Sequence, residues 1–332
     1  MRRVRWDIVL ILATLLAIVI AVARGYVIAR CGPPAPAAET EPGASQVMLN
    51  VYDHREEKIV EVPLETYLVG VVAAEMPVTF HPEALKAQAV AARTYTLFKR
   101  AHGGCKRHGG DVCTDSACCQ AFLSDARMRQ KWDGAYEDNL SRVESAVEGT
   151  SAEVLVYNGE LVEALYHSSS GGRTENAEDA FSSAKPYLVS VMSTNESGTN
   201  NLFETVSVSR ADFTGRVNAH FSAAKLDQKS LDTQIEVQKT SKTGRVLIVK
   251  LGGATATGRE LRSLFGLNST LFTMTVEKSG VRFDVRGYGH GVGMSQTGAN
   301  GMGLGGRSYR EILQYYYTGV SIKTWPLSAD GG

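Results

Sequence analysis

Apolar and polar positions alternate most regularly between residues 64 and 95. Leu64, Leu68, Val71 and Val72 recur at helical spacing and make one face of a helix. Glu75 continues that stripe, so a carboxylate occupies a position where a Leu is expected. Pro77 predicts the end of this helix, because it cannot donate a hydrogen bond and pushes Met76 out of the α region. A second helix is predicted to start at Pro82-Glu83, with Pro at the first helical position and an acid in the first turn. Its body is rich in Ala (Ala84, Ala87, Ala89, Ala91 and Ala92), which lets neighbouring backbone approach closely.

Further along, Val154 to Val156 and Leu161 to Tyr166 flank Tyr157-Asn158-Gly159-Glu160, the pattern of a hairpin. From Phe203 to Val285 short strands (Ile235 to Gln238, Val246 to Leu251, Phe272 to Val276, Val281 to Val285) alternate with helical pieces at Ala211 to Ala219 and Gly258 to Leu264. Residues 203–285 could form a subdomain, and no chemistry is visible in it. A last helix runs from Tyr309 to Tyr317. Helices near the front followed by strands and small helices predict an α+β fold.

The N-terminus has a different pattern. Arg2, Arg3 and Arg5 precede an apolar run from Ile8 to Ala23, broken only by Thr14. As a helix this run is about 24 Å long, slightly short of a bilayer core, and Arg24 can snorkel. The basic flank places residues 1–7 in the cytoplasm, the segment 8–24 in the membrane and the remainder outside. Ala21-Val22-Ala23 also fits a signal-peptide cleavage site. Residues 25–46 read as a linker, Pro- and Ala-rich from residue 32, and residues 326–332 as a tail. Between them, 47–325 is long enough for one large domain or two coupled ones.

Charge is balanced, with 35 basic and 35 acidic residues, and no basic cluster or RNA-reading motif is present. Nucleic acid is therefore excluded as an expected partner.

The buried position of Glu75 admits two readings. It could be a structural ion pair with Arg93 or Lys86, or a general acid whose pKa is raised. Apolar surroundings favour the protonated form, and the negative end of the helix dipole adds about 0.3–1 kcal/mol in the same direction.

Four of the five cysteines lie in one segment, ordered Cys105-x2-His108-x4-Cys113-x4-Cys118-Cys119. An extracytoplasmic domain could hold disulfides, but adjacent Cys118 and Cys119 cannot pair without strain. A His among cysteines suits a tetrahedral zinc site. Two polar, glycine-containing loops follow. His167-Ser168-Ser169-Ser170-Gly171-Gly172-Arg173-Thr174-Glu175 suits close approach to a sugar, or equally a hydrogen-bonded turn. Gly287 to Ala299 carries a Gly at every second place up to Gly293, as at a ligand-facing loop. Gly301 to Gly306 formally matches a dinucleotide fingerprint but lacks the strand–helix context.

The run Ala74-Glu75-Met76-Pro77, followed by Glu83-Ala84-Leu85-Lys86-Ala87-Gln88-Ala89-Val90-Ala91-Ala92-Arg93-Thr94-Tyr95, resembles the stage II sporulation protein D family. Those proteins are membrane-anchored lytic transglycosylases that cut peptidoglycan glycan strands. Two further stretches carry the resemblance, Ser169-Ser170-Gly171-Gly172-Arg173-Thr174-Glu175 and Gly289-His290-Gly291-Val292-Gly293-Met294-Ser295-Gln296. It implies that Glu75 is the catalytic acid and that Ser168, Ser170, Arg173, Thr174, His290, Ser295 and Gln296 line the substrate cleft. It also implies zinc ligands at His108, Cys113, Cys118 and Cys119. The chain departs from the family pattern there, with Cys118 where a His is usual and one residue fewer after His108, so Cys105 is a fifth candidate. Four protein ligands would make the ion structural.

The resemblance further implies an anchored domain facing the space between mother-cell and forespore membranes. Its expected partners are glycan strands, the membrane, and an engulfment complex with a sporulation amidase and a membrane protein. Most glycosidases need two carboxylates, but a lytic transglycosylase works with one. A second expectation is a non-catalytic wall-binding module that stimulates an amidase, since relatives named amidase enhancers share this domain. A serine hydrolase using Ser168, Asp284 and His290 lacks the Gly-x-Ser-x-Gly elbow.

Overall fold

The computed structural model describes residues 47–181, 183–194, 196 and 203–326. The expected membrane segment, the linker and the tail beyond residue 326 lie outside the described residues. No helix among the described residues is long and apolar enough to cross a membrane. Helices and five small sheets make a mixed α and β architecture among the described residues.

The buried apolar side chains form two clusters. The larger draws on residues from Leu49 to Leu188 and again from Val292 to Val320, and at its centre runs the helix Pro82–Ala101. Ala84, Ala87, Ala89, Ala91 and Ala92 are all fully buried there. Their small side chains let the helices Leu64–Glu75, Tyr136–Glu148, Gln296–Leu304 and Tyr309–Tyr316 and the strand Glu153–Tyr157 pack directly against this one. The smaller cluster runs from Val208 to Val285. It lies under the sheet of Phe203–Ser209, Gly280–Arg286 and Phe272–Val276, with Phe213 stacked on Phe265 and Phe283 tilted against both at its centre.

Local signals explain the helix ends. Met76 is extended (φ −113°, ψ 142°), as a residue before proline prefers, and ends the Leu64–Glu75 helix. The Ala-rich helix starts at Pro82 behind His81, whose ring nitrogen accepts the Glu83 amide, and Lys99 and Arg100 face the dipole's negative end. Asn158 and Gly159 take positive φ in the hairpin turn, which pairs Tyr157 with Glu160 and Val156 with Leu161.

The structure departs from the sequence pattern in two places. Leu161 to Tyr166 is not one strand: pairing ends at Leu161, and Tyr166–His167 instead runs parallel to Met294–Ser295. The second departure is Gln296–Leu304, which the run of glycines suggests is loop but which is a helix. Ser295 caps it, its hydroxyl accepting the Gly298 amide at 3.2 Å. The glycines serve packing here: a Cβ on Gly298 would lie 2.0 Å from the Tyr316 hydroxyl, and one on Gly303 2.8 Å from the His81 ring. Close packing on neighbouring elements outweighs the low helix propensity of glycine.

Candidate active site

Glu75 is the last residue of its helix and is half-buried. Neither cation that the sequence offers it takes the role. Arg93 is fully buried and grips Glu65 through two hydrogen bonds of 2.9 and 2.6 Å, spending its other donors on the carbonyls of Glu153 and Val147. Lys86 pairs with Glu83 at 2.9 Å. Instead Glu75 accepts two uncharged donors, the backbone N–H of Ala121 at 2.7 Å and the side-chain amide of Gln296 at 3.4 Å. Burial raises its pKa, and these two hydrogen bonds offset only part of that rise. The carboxyl is thus biased toward the protonated form, on a residue that is only half-buried.

The Ala121 amide reaches Glu75 because the segment 120–123 lies flat along the acid helix. Gly70 makes this possible: a Cβ there would stand 2.2 Å from the Phe122 ring and 2.7 Å from the Leu123 carbonyl. The Leu123 amide bonds the Gly70 carbonyl at 3.0 Å. Gln120 anchors the same strip, donating to Thr96 at 2.9 Å and accepting from the Tyr166 hydroxyl at 2.7 Å.

Immediately before this strip, Cys105, Cys113, Cys118 and Cys119 bring their sulfur atoms within 4.8 Å of one another. Cys105 and Cys118 are 3.5 Å apart and Cys118 and Cys119 4.0 Å, too far for disulfides. A tetrahedral zinc with bonds of about 2.3 Å needs sulfurs about 3.8 Å apart, so this donor set fits the ion. His108 stands outside the group. Its ring stacks on Tyr52, with centroids 4.6 Å apart and 5° between planes, and its Nε2 has no hydrogen-bond partner among the described residues. Cys105, rather than His108, therefore stands with the other three cysteines.

The two polar loops lie side by side. Ser169 bridges to Tyr288 and Glu175 to Val292, and Gln296 carries the second loop to Glu75. Gln296 also faces Gln88 of the Ala-rich helix at 3.3 Å. The remaining predicted substrate residues are placed differently. Ser170 and Ser295 are buried and donate to Glu196 at 2.6 Å each. Thr174 is buried and accepts the Val191 amide at 2.8 Å. Ser168 is half-buried, its carbonyl accepting the Thr297 amide at 3.0 Å. Arg173 is exposed, with its Nε on the Ser190 hydroxyl at 2.9 Å.

His290 accepts the Val292 amide on Nδ1 at 3.1 Å, so a neutral ring carries its proton on Nε2. The ring packs beside His167 and Phe181 and against the Tyr166 backbone. Burial, with neighbouring His167 adding to it, holds its pKa well below the ordinary histidine value, so it is neutral at neutral pH.

Sequence reasoning did not single out Gln88, Tyr166 or Glu196. Gln88 had a signal, a polar residue amid the buried alanines; Glu196 had none, since it sits in a run of Ser, Thr and Asn typical of a loop. A cavity of about 530 Å³ opens beside Met192, Ser193, Gly298, Met302 and Tyr315, and Glu75 does not line it. The chemistry is read from the carboxyl and its partners rather than from this opening.

The sequence model of the Stage II sporulation protein family matches residues 52–157, which span the acid helix, the Ala-rich helix and the cysteine cluster. The chain is 37% identical over 291 residues to Stage II sporulation protein D of Bacillus subtilis (strain 168), covering 87% of this chain and 82% of that protein. It is 35% identical to Stage II sporulation protein D of Bacillus amyloliquefaciens, covering 84% and 79%. A protein named amidase enhancer from Bacillus subtilis (strain 168) is 31% identical over 78% of this chain, but the match covers 40% of that relative. With both core motifs in place and this identity spread over most of both chains, the protein belongs to the stage II sporulation protein D family.

Proposed function

We propose that this chain is a lytic transglycosylase of the peptidoglycan glycan strand, with Glu75 as its acid. The observation that carries the reading is a half-buried glutamate at a helix end that has two neutral donors and no cation among the described residues. A carboxylate kept for stability is held ionised, either by a cation, as Arg93 holds Glu65, or by a full shell of donors; Glu75 has only two donors and its pKa stays raised.

In this mechanism protonated Glu75 gives its proton to the glycosidic oxygen on the leaving side of a muramic acid ring. The bond from the anomeric carbon to that oxygen breaks, and positive charge develops on the ring. The Glu75 carboxylate then takes the proton of the same sugar's 6-hydroxyl, whose oxygen closes on the anomeric carbon as a 1,6-anhydro ring. One proton leaves Glu75 and one returns, no water is consumed, and no second carboxylate is required. The Ala121 and Gln296 donors stabilise the carboxylate between the two transfers.

Zinc held by Cys105, Cys113, Cys118 and Cys119 would supply a structural clamp, since four thiolates leave no open position for substrate. By holding the chain just before Ala121, those cysteines would keep its amide on Glu75. The apolar run before residue 24 anchors the domain with its C-terminal side outside the cytoplasm. That position suits work on glycan during engulfment beside an amidase.

The amidase enhancer relative favours a second reading, a wall-binding module that stimulates an amidase without cutting glycan. Mass spectrometry of products from purified glycan strands separates the two. Release of 1,6-anhydro-muramic ends supports the transglycosylase; intact strands with increased amidase turnover support the module.

A further inference from the structure

Glu196 is 3% exposed, and all its acceptor capacity is used inside the protein. The hydroxyls of Ser169, Ser170, Ser193 and Ser295 donate to it at 2.6–2.8 Å, and the amides of Ser170 and Gly171 at 3.0 and 2.9 Å. An ionised carboxylate accepts only, so a shell made wholly of donors fits the anion. Burial pushes its pKa up, but the serine hydroxyls together hold it below the ordinary value. Arg245, a neighbouring cation, donates to the Ser170 carbonyl at 2.7 Å rather than to Glu196. The carboxylate also lies at the N-terminal end of the Gln296–Leu304 helix, where the dipole favours an anion.

These donors come from three separate parts of the chain: the 169–171 loop, the 193 segment, and the cap of the Gln296–Leu304 helix. Ser295 links the anion to that helix, donating to Glu196 while accepting the Gly298 amide. The next residue is Gln296, whose amide meets Glu75. The mechanism above leaves this buried charge unused.

We propose that Glu196 is a positioning residue, whose anion clamps the 169–171 loop and the 193 segment to the cap of the Gln296–Leu304 helix and thereby sets the Gln296 amide against Glu75. It touches no substrate. The functional consequence rests on Glu75 being the acid, but the placement of Gln296 does not.

The test is nuclear magnetic resonance on the full chain in detergent, with glutamine side-chain amides labelled and the Gln296 signal identified by its loss in Gln296→Ala. In Glu196→Gln the Gln296 signal should move while the Gln120 signal, held by Thr96 and Tyr166, stays. Glycan cleavage by the same variant should fall by up to about 10²-fold in kcat with KM little changed, as misplacement of a catalytic geometry does. Combined with Gln296→Ala it should cause little further loss. If Glu196→Gln does not fold, Ser295→Ala removes one donor at the helix cap and is judged by the same signal. A folded variant whose Gln296 signal is unmoved, or losses that simply add, overturns the proposal. Absence of anhydro product from the wild type sinks the proposed activity instead and leaves the resonance test standing.

Discussion

Gln296 and Glu75 are 221 positions apart in the chain, yet the Gln296 amide stands 3.4 Å from the Glu75 carboxylate. The contact joins the C-terminal end of one helix to the N-terminal end of another, across the Ala-rich helix that both pack on. It leaves the acid with a donor that carries no charge. An Arg or Lys there would lower its pKa and spoil it as a proton donor at neutral pH.

Glu75→Gln keeps shape and most hydrogen bonding but has no proton to give. It should fold, keep its metal and bind glycan, while release of anhydro product falls by about 10²–10⁴. Product mass spectrometry measures this directly. Cleavage at the wild-type rate would mean that another group supplies the proton.

The same substitution carries a stability signature. Burial raises the Glu75 pKa in the folded protein. Below the ordinary carboxylate pKa both folded and unfolded states are protonated. As pH rises from there through the raised folded value, the folded state binds the extra proton and stability is lost. Glu75→Gln lacks that loss, so its stability relative to the wild type should increase with pH across this window and level off above it. Urea denaturation at a series of pH values checks the sign; a stability of the variant relative to the wild type that falls with rising pH would contradict it.

The metal site separates two ligand sets. Full-length protein should hold about one equivalent of zinc and give up thiols to a modifying reagent once chelated. Cys105→Ser should weaken binding, whereas His108→Ala should leave it nearly unchanged, because Cys105 and not His108 converges with the other three cysteines. The reverse pattern would return His108 to the site.

Gly70→Ala tests the strip that carries Ala121. The new methyl would meet Phe122 and the Leu123 carbonyl at 2.2 and 2.7 Å. Overpacking of this kind costs about 1–3 kcal/mol, readable in urea. Activity should fall further than stability explains, since the Ala121 amide moves away from Glu75 although no group that touches glycan has changed.

The sequence by itself determined the helices on either side of Pro77, because proline geometry and apolar periodicity act over a few residues. It determined that Glu75 falls on a buried stripe for the same reason. The strand Phe272–Val276 was legible from its own alternation and Val246–Leu251 from its short apolar, β-branched run. Which cation would meet Glu75 was not legible: Arg93 turns to Glu65 only because the Ala-rich helix crosses the first turn of the acid helix. The helix at Gln296–Leu304 was hidden because its glycines obey packing against Tyr316 and His81, neighbours that no local rule contains. Choosing Cys105 over His108 required knowing that the His108 ring lies flat on Tyr52. Only the tertiary structure decided Glu196, since a buried anion fed by serines from three segments has no periodicity and no motif, and its donors become neighbours only when the chain has folded.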